Sequence, residues 1–146
     1  MQSEVQTFSI ELPWPQRVLF PNARPHWAVK SKKVRVHRNW ARIVTMTEVK
    51  APIHPQGRIG YTIDFTPPIN RKRDEDGILS ACKSYLDGVA NALGVNDTLF
   101  TIKGMQGHPA QAPGAIRLTF SWEESRNAED CNGCYSGWFL CLEVGT

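Results

Sequence analysis

The chain has 146 residues, 41% apolar and 21% charged, with a formal charge of +3, which suits one globular domain large enough to build a core without disulfide or metal staples. No stretch approaches the roughly 18 uninterrupted apolar residues of a membrane span. Met1 to Leu12 also lacks the basic start and apolar run of a secretory leader, so the expectation is a soluble, cytoplasmic protein with no membrane partner.

The charge is unevenly spread. Between Arg17 and Lys50 the cations Arg17, Arg24, Lys30, Lys32, Lys33, Arg35, Arg38, Arg42 and Lys50 meet one acid, Glu48, whereas Glu123, Glu124, Glu129, Asp130 and Glu143 crowd the end of the chain against Arg126. Such polarity points to an anionic partner on the N-terminal part, although a charge run is more commonly a solvated face.

In chain order, Phe8, Ile10 and Leu12 alternate with polar neighbours over Thr7 to Leu12, the period of a strand, and Pro13-Trp14-Pro15 stops it. After the turn-rich Pro21 to Trp27, the spacing of Val34, Val36, Trp40, Ile43, Val44 and Met46 predicts a helix over roughly Lys33 to Val49. Ile59 to Thr66 alternates again and reads as a half-buried strand. Ile78, Cys82, Tyr85, Leu86, Val89 and Leu93 share one face of a predicted helix from Ile78 to Leu93, with Gly94 as its stop. Leu99 to Lys103 and Ile116 to Trp122 read as short strands around the Gly/Pro-rich loop Gly104 to Gly114. The polar tail from about Glu123 reads as a cysteine-containing extension, with Trp138 to Val144 as an edge strand.

Arg71-Lys72-Arg73-Asp74-Glu75-Asp76 sets cations directly against carboxylates just before that second helix. Carboxylates hold a hard divalent ion and basic groups hold phosphate, so a metal could here meet a nucleic-acid backbone. Asp74 and Asp76, two apart in extended chain, project to one side and could share an ion. For a helix starting near Asp76, the residues Asp76, Ser80, Lys83 and Asp87 fall at i, i+4, i+7 and i+11, in one narrow stripe. Asp97 follows the reversal at Gly94 and Asn96, where tertiary folding could bring in a third carboxylate. Against this stands a plain structural account: an Asp ahead of a helix is an ordinary N-cap, worth about 0.5–2 kcal/mol without any metal, and Lys83 with Asp87 is a standard i, i+4 pair.

Cys131-Asn132-Gly133-Cys134 has the gap of a zinc half-site, with Cys141 and His108 as further candidates, but a second such pair is missing. We read the cysteines as reduced thiols. His26 and Trp27 could stack on bases or pack the core, the core being the commoner place for tryptophan.

Two blocks of this sequence resemble the RusA-type Holliday junction resolvases of phages and prophages. The first is Leu12-Pro13-Trp14-Pro15 with Pro21-Asn22-Ala23-Arg24 and His26-Trp27. The second is Asp74-Glu75-Asp76-Gly77, then Lys83, Asp87-Gly88, Ala92-Leu93-Gly94-Val95 and Asn96-Asp97, similar to the pattern D-x-D-N, K-x-x-x-D-G and a closing D-D. Gly77 and Asn96 depart from it, standing where the family usually has asparagine and an acid.

The resemblance implies a single α/β domain over 1–146, a small mixed sheet with helices on one face, assembled as a homodimer. It implies Asp74, Asp76 and Asp97 as magnesium ligands, with manganese able to substitute, and Lys83 beside them at the catalytic centre. The substrate would be four-way junction DNA, nicked in pairs during recombination and repair, with no small-molecule cofactor. Arg24, Lys30, Lys32, Lys33, Arg35, Arg38 and Arg42, with Arg71, Lys72 and Arg73, would track the DNA backbone. The alternatives are a DNA-binding module without catalysis and a zinc-stabilised interaction protein built on the cysteine tail.

Overall fold

The computed structural model describes residues 5–21, 23–50 and 52–124. The zinc half-site, the edge strand at Trp138 to Val144 and the role of the cysteine tail lie outside the described residues. The elements are β1 (Val5–Pro13), α1 (Trp27–Glu48), β2 (Ile59–Thr66), α2 (Glu75–Ala81), α3 (Lys83–Leu93), β3 (Phe100–Gly107) and β4 (Ala115–Glu123), with short 3-10 turns at Arg17–Leu19 and Asp97–Leu99.

The strands form one mixed sheet in the order β1-β4-β2-β3. β4 pairs antiparallel with both β1 and β2, while β2 and β3 run parallel and are joined by the crossover through α2 and α3. Register places Ile10 and Ile63 opposite Leu118, and Phe8 and Tyr61 opposite Phe120, so the alternating apolar residues of three strands stack on one face. Ala41 of α1, Ile78 of α2 and Tyr85, Val89 and Leu93 of α3 close over that face to make the core. The fold class is therefore the expected one, α/β with a mixed sheet and helices on one side.

Strand β1 starts at Val5, two residues before Thr7, and β3 runs on to Gly107, into the stretch read as a loop from Gly104, because its pairing with β2 continues through Phe65. The helices differ more. Helix α1 starts six residues before Lys33, at Trp27, where the His26 ring accepts a hydrogen bond from the Ala28 amide (3.2 Å). Its first turn is wholly exposed and carries no apolar stripe, so periodicity could not reveal it. The helix expected over Ile78 to Leu93 begins at Glu75 and is divided at Cys82, whose φ/ψ of −85°/−2° departs from ideal helix. Ile78, Cys82, Tyr85, Val89 and Leu93 are all buried across the division, so the apolar spacing runs straight through the joint. Burial pushes the Cys82 thiol up to about 12, which makes it a packing residue and not a nucleophile. Gly94 ends α3 at φ 72°, in the left-handed region where glycine carries no Cβ penalty.

The α1–α3 contact is unusually close. A Cβ at Gly88 would collide with the backbone carbonyl oxygen of Arg38 and lie 3.0 Å from the Ala41 Cβ. Near this contact His37 is fully buried between the helices and the end of β1: its Nδ1–H donates to the Lys33 carbonyl (2.8 Å) while Nε2 accepts from the Gln16 amide (3.2 Å). Tyr85, 5.3 Å from the His37 ring, donates its hydroxyl to the Pro13 carbonyl (2.7 Å) and ties α3 to the same strand end. Among the described residues no helix is long and apolar enough to cross a membrane.

Two outcomes follow from these contacts. Gly88→Ala should force the helices apart and lower the unfolding free energy by about 1–3 kcal/mol, read from urea denaturation. His37 must stay neutral to accept from Gln16; burial lowers its pKa from the ordinary 6.5, the Lys33 carbonyl bond partly restores it and the Lys33 charge lowers it again. Its folded pKa thus lies below its unfolded one, so this contribution is complete above pH 6.5 and is lost as the pH falls from there toward the folded value. The urea midpoint should drop between pH 6.5 and 5 in the native protein, with a shallower drop in His37→Gln.

Candidate metal and nucleic-acid site

The crossover decides where the acids go. Asp74 follows the carboxyl end of β2 and lines a cavity with Trp14 and Pro15, just beyond the carboxyl end of β1. Asp97 comes after α3 and immediately before β3, whose first residue pairs with Ile59 at the opposite end of β2. A parallel βαβ unit has to run the length of the sheet, which separates the residues that open it from those that close it.

Asp74 caps α2: its Oδ1 accepts from the Asp76 amide at 3.3 Å, and Glu75 and Asp76 occupy the first turn. Both Asp74 and Asp76 are exposed. Asp97 instead meets Asp87, in the middle of α3. Asp87 titrates above its ordinary value, first because it is partly buried, then because its side chain shares a hydrogen bond with Asp97 and feels that carboxylate's charge; Arg38 and Lys83 pull the other way. The three acids Asp74, Asp76 and Asp97 are therefore not assembled as a set, and among the described residues no three His, Cys, Asp or Glu side chains stand together as ligands for a metal ion.

The carboxylate pair that is assembled, Asp87 with Asp97, includes a residue not singled out as a ligand from sequence. Its signal was present: Asp87 shares the predicted stripe with Lys83, and Asp97 lies three residues past the turn at Gly94. Two carboxylates in mutual contact fit a hard divalent ion, which would relieve their repulsion, so magnesium is chemically suited to this pair.

The cations lie on two sides. On α1, Lys30, Lys32, Arg35 and Arg38 are exposed, and Lys33 and Arg42 are half-buried. Arg35, Arg38 and Arg42 line a groove of about 390 Å³ against Asn91 of α3, where Arg42 donates to the Asn39 side chain at 2.9 Å. Because Gly88 brings α1 so close to α3, Arg38 also acts on Asp87, so the basic helix and the acid pair share one border. Arg71, Lys72 and Arg73 instead line the cavity beside Asp74. Arg24 is exposed, and Trp27 is 75% exposed on the outer side of α1, away from the core where tryptophans more often pack.

No family model matches the chain. A protein of Xylella fastidiosa (strain Temecula1 / ATCC 700964), named only as an uncharacterized protein, is 33% identical over 120 residues, covering 80% of this chain and 77% of its own length. The chain belongs to the family of that protein. Among solved structures, a hydrogenase maturation protein HypE in complex with ATP aligns at a TM-score of 0.35 and 15% identity, over 86% of this chain and 32% of that one. The thiamine-monophosphate kinase of Stenotrophomonas maltophilia K279a aligns at 0.33 and 16% identity, over 86% and 33%. The chain thus spans about a third of those structures' length.

The acid pair makes a direct prediction. In Asp97→Asn the Asp87 carboxyl should titrate lower than in the native protein, since the neighbouring carboxylate's charge is gone. Arg38→Gln should move it higher. Carboxyl-carbon NMR titration reads both shifts.

Proposed function

We propose that this protein is a magnesium-dependent, structure-selective DNA endonuclease acting on four-way junctions as a homodimer, as the resemblance to RusA-type resolvases suggests. The observation that carries the reading is the Asp87–Asp97 carboxylate pair bordered by Lys83 and Arg38, at the edge of a helix dense in cations. An acid pair suited to a dication beside groups suited to phosphate is the combination phosphodiester hydrolysis requires.

In this reading Asp87 and Asp97 hold the ion, in place of the Asp74, Asp76 and Asp97 set expected from sequence. A bound divalent cation supplies the Lewis acid that activates water and offsets the charge growing on the phosphate. Lys83, exposed one helical turn before Asp87, neutralises a non-bridging oxygen of the scissile phosphate. Arg35, Arg38 and Arg42 track the backbone and make binding salt-sensitive. Two-fold symmetry would present two equal sites to the two strands that must be cut. Asp74 and Asp76 shape the start of α2, and Asp74 lines the cavity that holds the second cluster of cations.

One observation favours a second reading, a junction- or duplex-binding module without catalysis: among the described residues Asp87 and Asp97 meet with no third ligand beside them, while Asp74 and Asp76 serve as a helix cap and first-turn acid. Magnesium separates the two readings. Incubated with a synthetic mobile four-way junction and with linear duplex, the native protein should make paired, symmetric nicks in the junction alone, and only with Mg²⁺ or Mn²⁺ present. Asp97→Asn and Asp87→Asn should bind the junction as tightly as the native protein while cutting falls by about 100-fold or more, on the scale of losing a principal charge-stabilising group. Junction binding with no nick under either ion would leave the binding module.

A further inference from the structure

A second cavity, of about 530 Å³, lies beyond the carboxyl ends of β1 and β2, between the Trp14-Pro15 turn and the segment leading into α2. Its size falls within the range of small-molecule sites. Trp14 and Phe20 form its aromatic wall, with ring centroids 6.0 Å apart and planes 25° from parallel. Arg17, Arg71, Lys72 and Arg73 supply four cations against the one acid, Asp74. Arg73 lies over the Trp14 ring, its guanidinium carbon 5.0 Å from the centroid. Its Nε is shielded from solvent and has no hydrogen-bond partner among the described residues, so among them a donor is held at this site without an acceptor.

Phosphate alone explains the cations but not an aromatic and proline wall, and an apolar ligand explains the wall but not the cations. A nucleotide needs both, a flat π-face and an anionic ester joined by a few bonds. In a duplex each base is stacked and paired, with no face free to enter a concave site, whereas an unpaired base has one. We propose that this cavity receives a single unpaired nucleotide of a DNA strand, its base against Trp14 and Phe20 and its phosphates on Arg17, Arg71 and Lys72. This rests on the DNA reading above and extends it: at the branch point of a junction the helical stack is interrupted and a nucleotide unpairs at lower cost than within a duplex, so the cavity offers a way to prefer branched over plain duplex DNA that does not involve the acid pair.

Gly77 lines the same cavity, and a Cβ there would meet only ordinary contacts at 3.9 Å, to Asp74 and Pro21. A larger side chain at this position would therefore grow into the open space without removing an aromatic residue.

The test compares, in one magnesium-free buffer, the affinities of the native protein for oligothymidylate, for a strand of the same length made of abasic sites, and for a synthetic four-way junction. The abasic strand keeps every phosphate and lacks every base. Oligothymidylate should bind about tenfold or more tighter than the abasic strand, the scale of a stacked base. Trp14→Leu and Gly77→Leu should each erase that preference, with circular dichroism confirming that both variants are folded. A strand carrying 2-aminopurine should lose fluorescence on binding to the native protein and keep it with Gly77→Leu. Equal affinities for the two strands, or a preference that survives in Gly77→Leu, would overturn the proposal. If the junction still binds in that case, only the nucleotide pocket is refuted; if no DNA binds, the reading it rests on fails with it.

Discussion

The absence of a side chain at Gly88 governs the arrangement of the charged groups. With no Cβ there, the backbone of α1 at Arg38 presses directly on α3, a closeness that ordinary ridge-and-groove packing between larger side chains would not allow. Three consequences share that contact. His37 is sealed between the helices in its neutral form, Tyr85 is held where it reaches the end of β1, and Arg38 is carried to the border of Asp87. Core packing and the electrostatics of the candidate site are thus set by the same helix crossing.

The sheet imposes the second constraint. Parallel pairing of β2 with β3 obliges the chain between them to travel back along the sheet, and acids near the start and finish of that path are kept apart. Asp74 and Asp76 become a helix cap and a first-turn charge, roles that satisfy backbone amides at α2. Asp97, delivered by the left-handed turn at Gly94, meets the acid already on α3. The result is two charged centres, an acid pair bordered by α1 and a cation-rich aromatic cavity beyond the ends of β1 and β2.

How much of this was legible in the sequence depends on the range of the forces involved. Strand β2 was readable to the residue because period-two alternation records one buried face, and the end of α3 was readable because Gly94 is a local backbone requirement. The first turn of α1 was invisible because it buries nothing, and the division at Cys82 was invisible because the buried residues keep helical spacing across it. Ligand grouping was the least legible. Spacing places Asp76, Lys83 and Asp87 on a stripe, but which acid Asp97 joins depends on the crossover path and on the α1 contact, neither of which has a local signature. Trp14 looked like part of a strand-ending turn; its place opposite Arg73 required residues about sixty positions apart to be brought together by the ends of two strands.

The two centres differ in what their electrostatics favour. Asp87 and Asp97 repel each other when both are ionised, and burial adds to the cost of charge on Asp87, so the pair is under tension that a proton or a dication relieves. Lys83 and Arg38 relieve part of it, yet they remain at the border, so positive charge is still available to a phosphate. The cavity has the opposite imbalance: its excess of cations and the unpaired Nε of Arg73 call for an anion with acceptors, and the Trp14–Phe20 wall calls for a flat apolar face. A cation at the first and a nucleotide at the second are complementary demands, and a branched DNA strand with its counter-ions is one kind of partner able to meet both at once. In the proposed reading, binding and chemistry fall to different residues: strand capture would be altered at Trp14 or Gly77 with the acids left intact, and ion affinity at Asp87 with the aromatic cavity left intact.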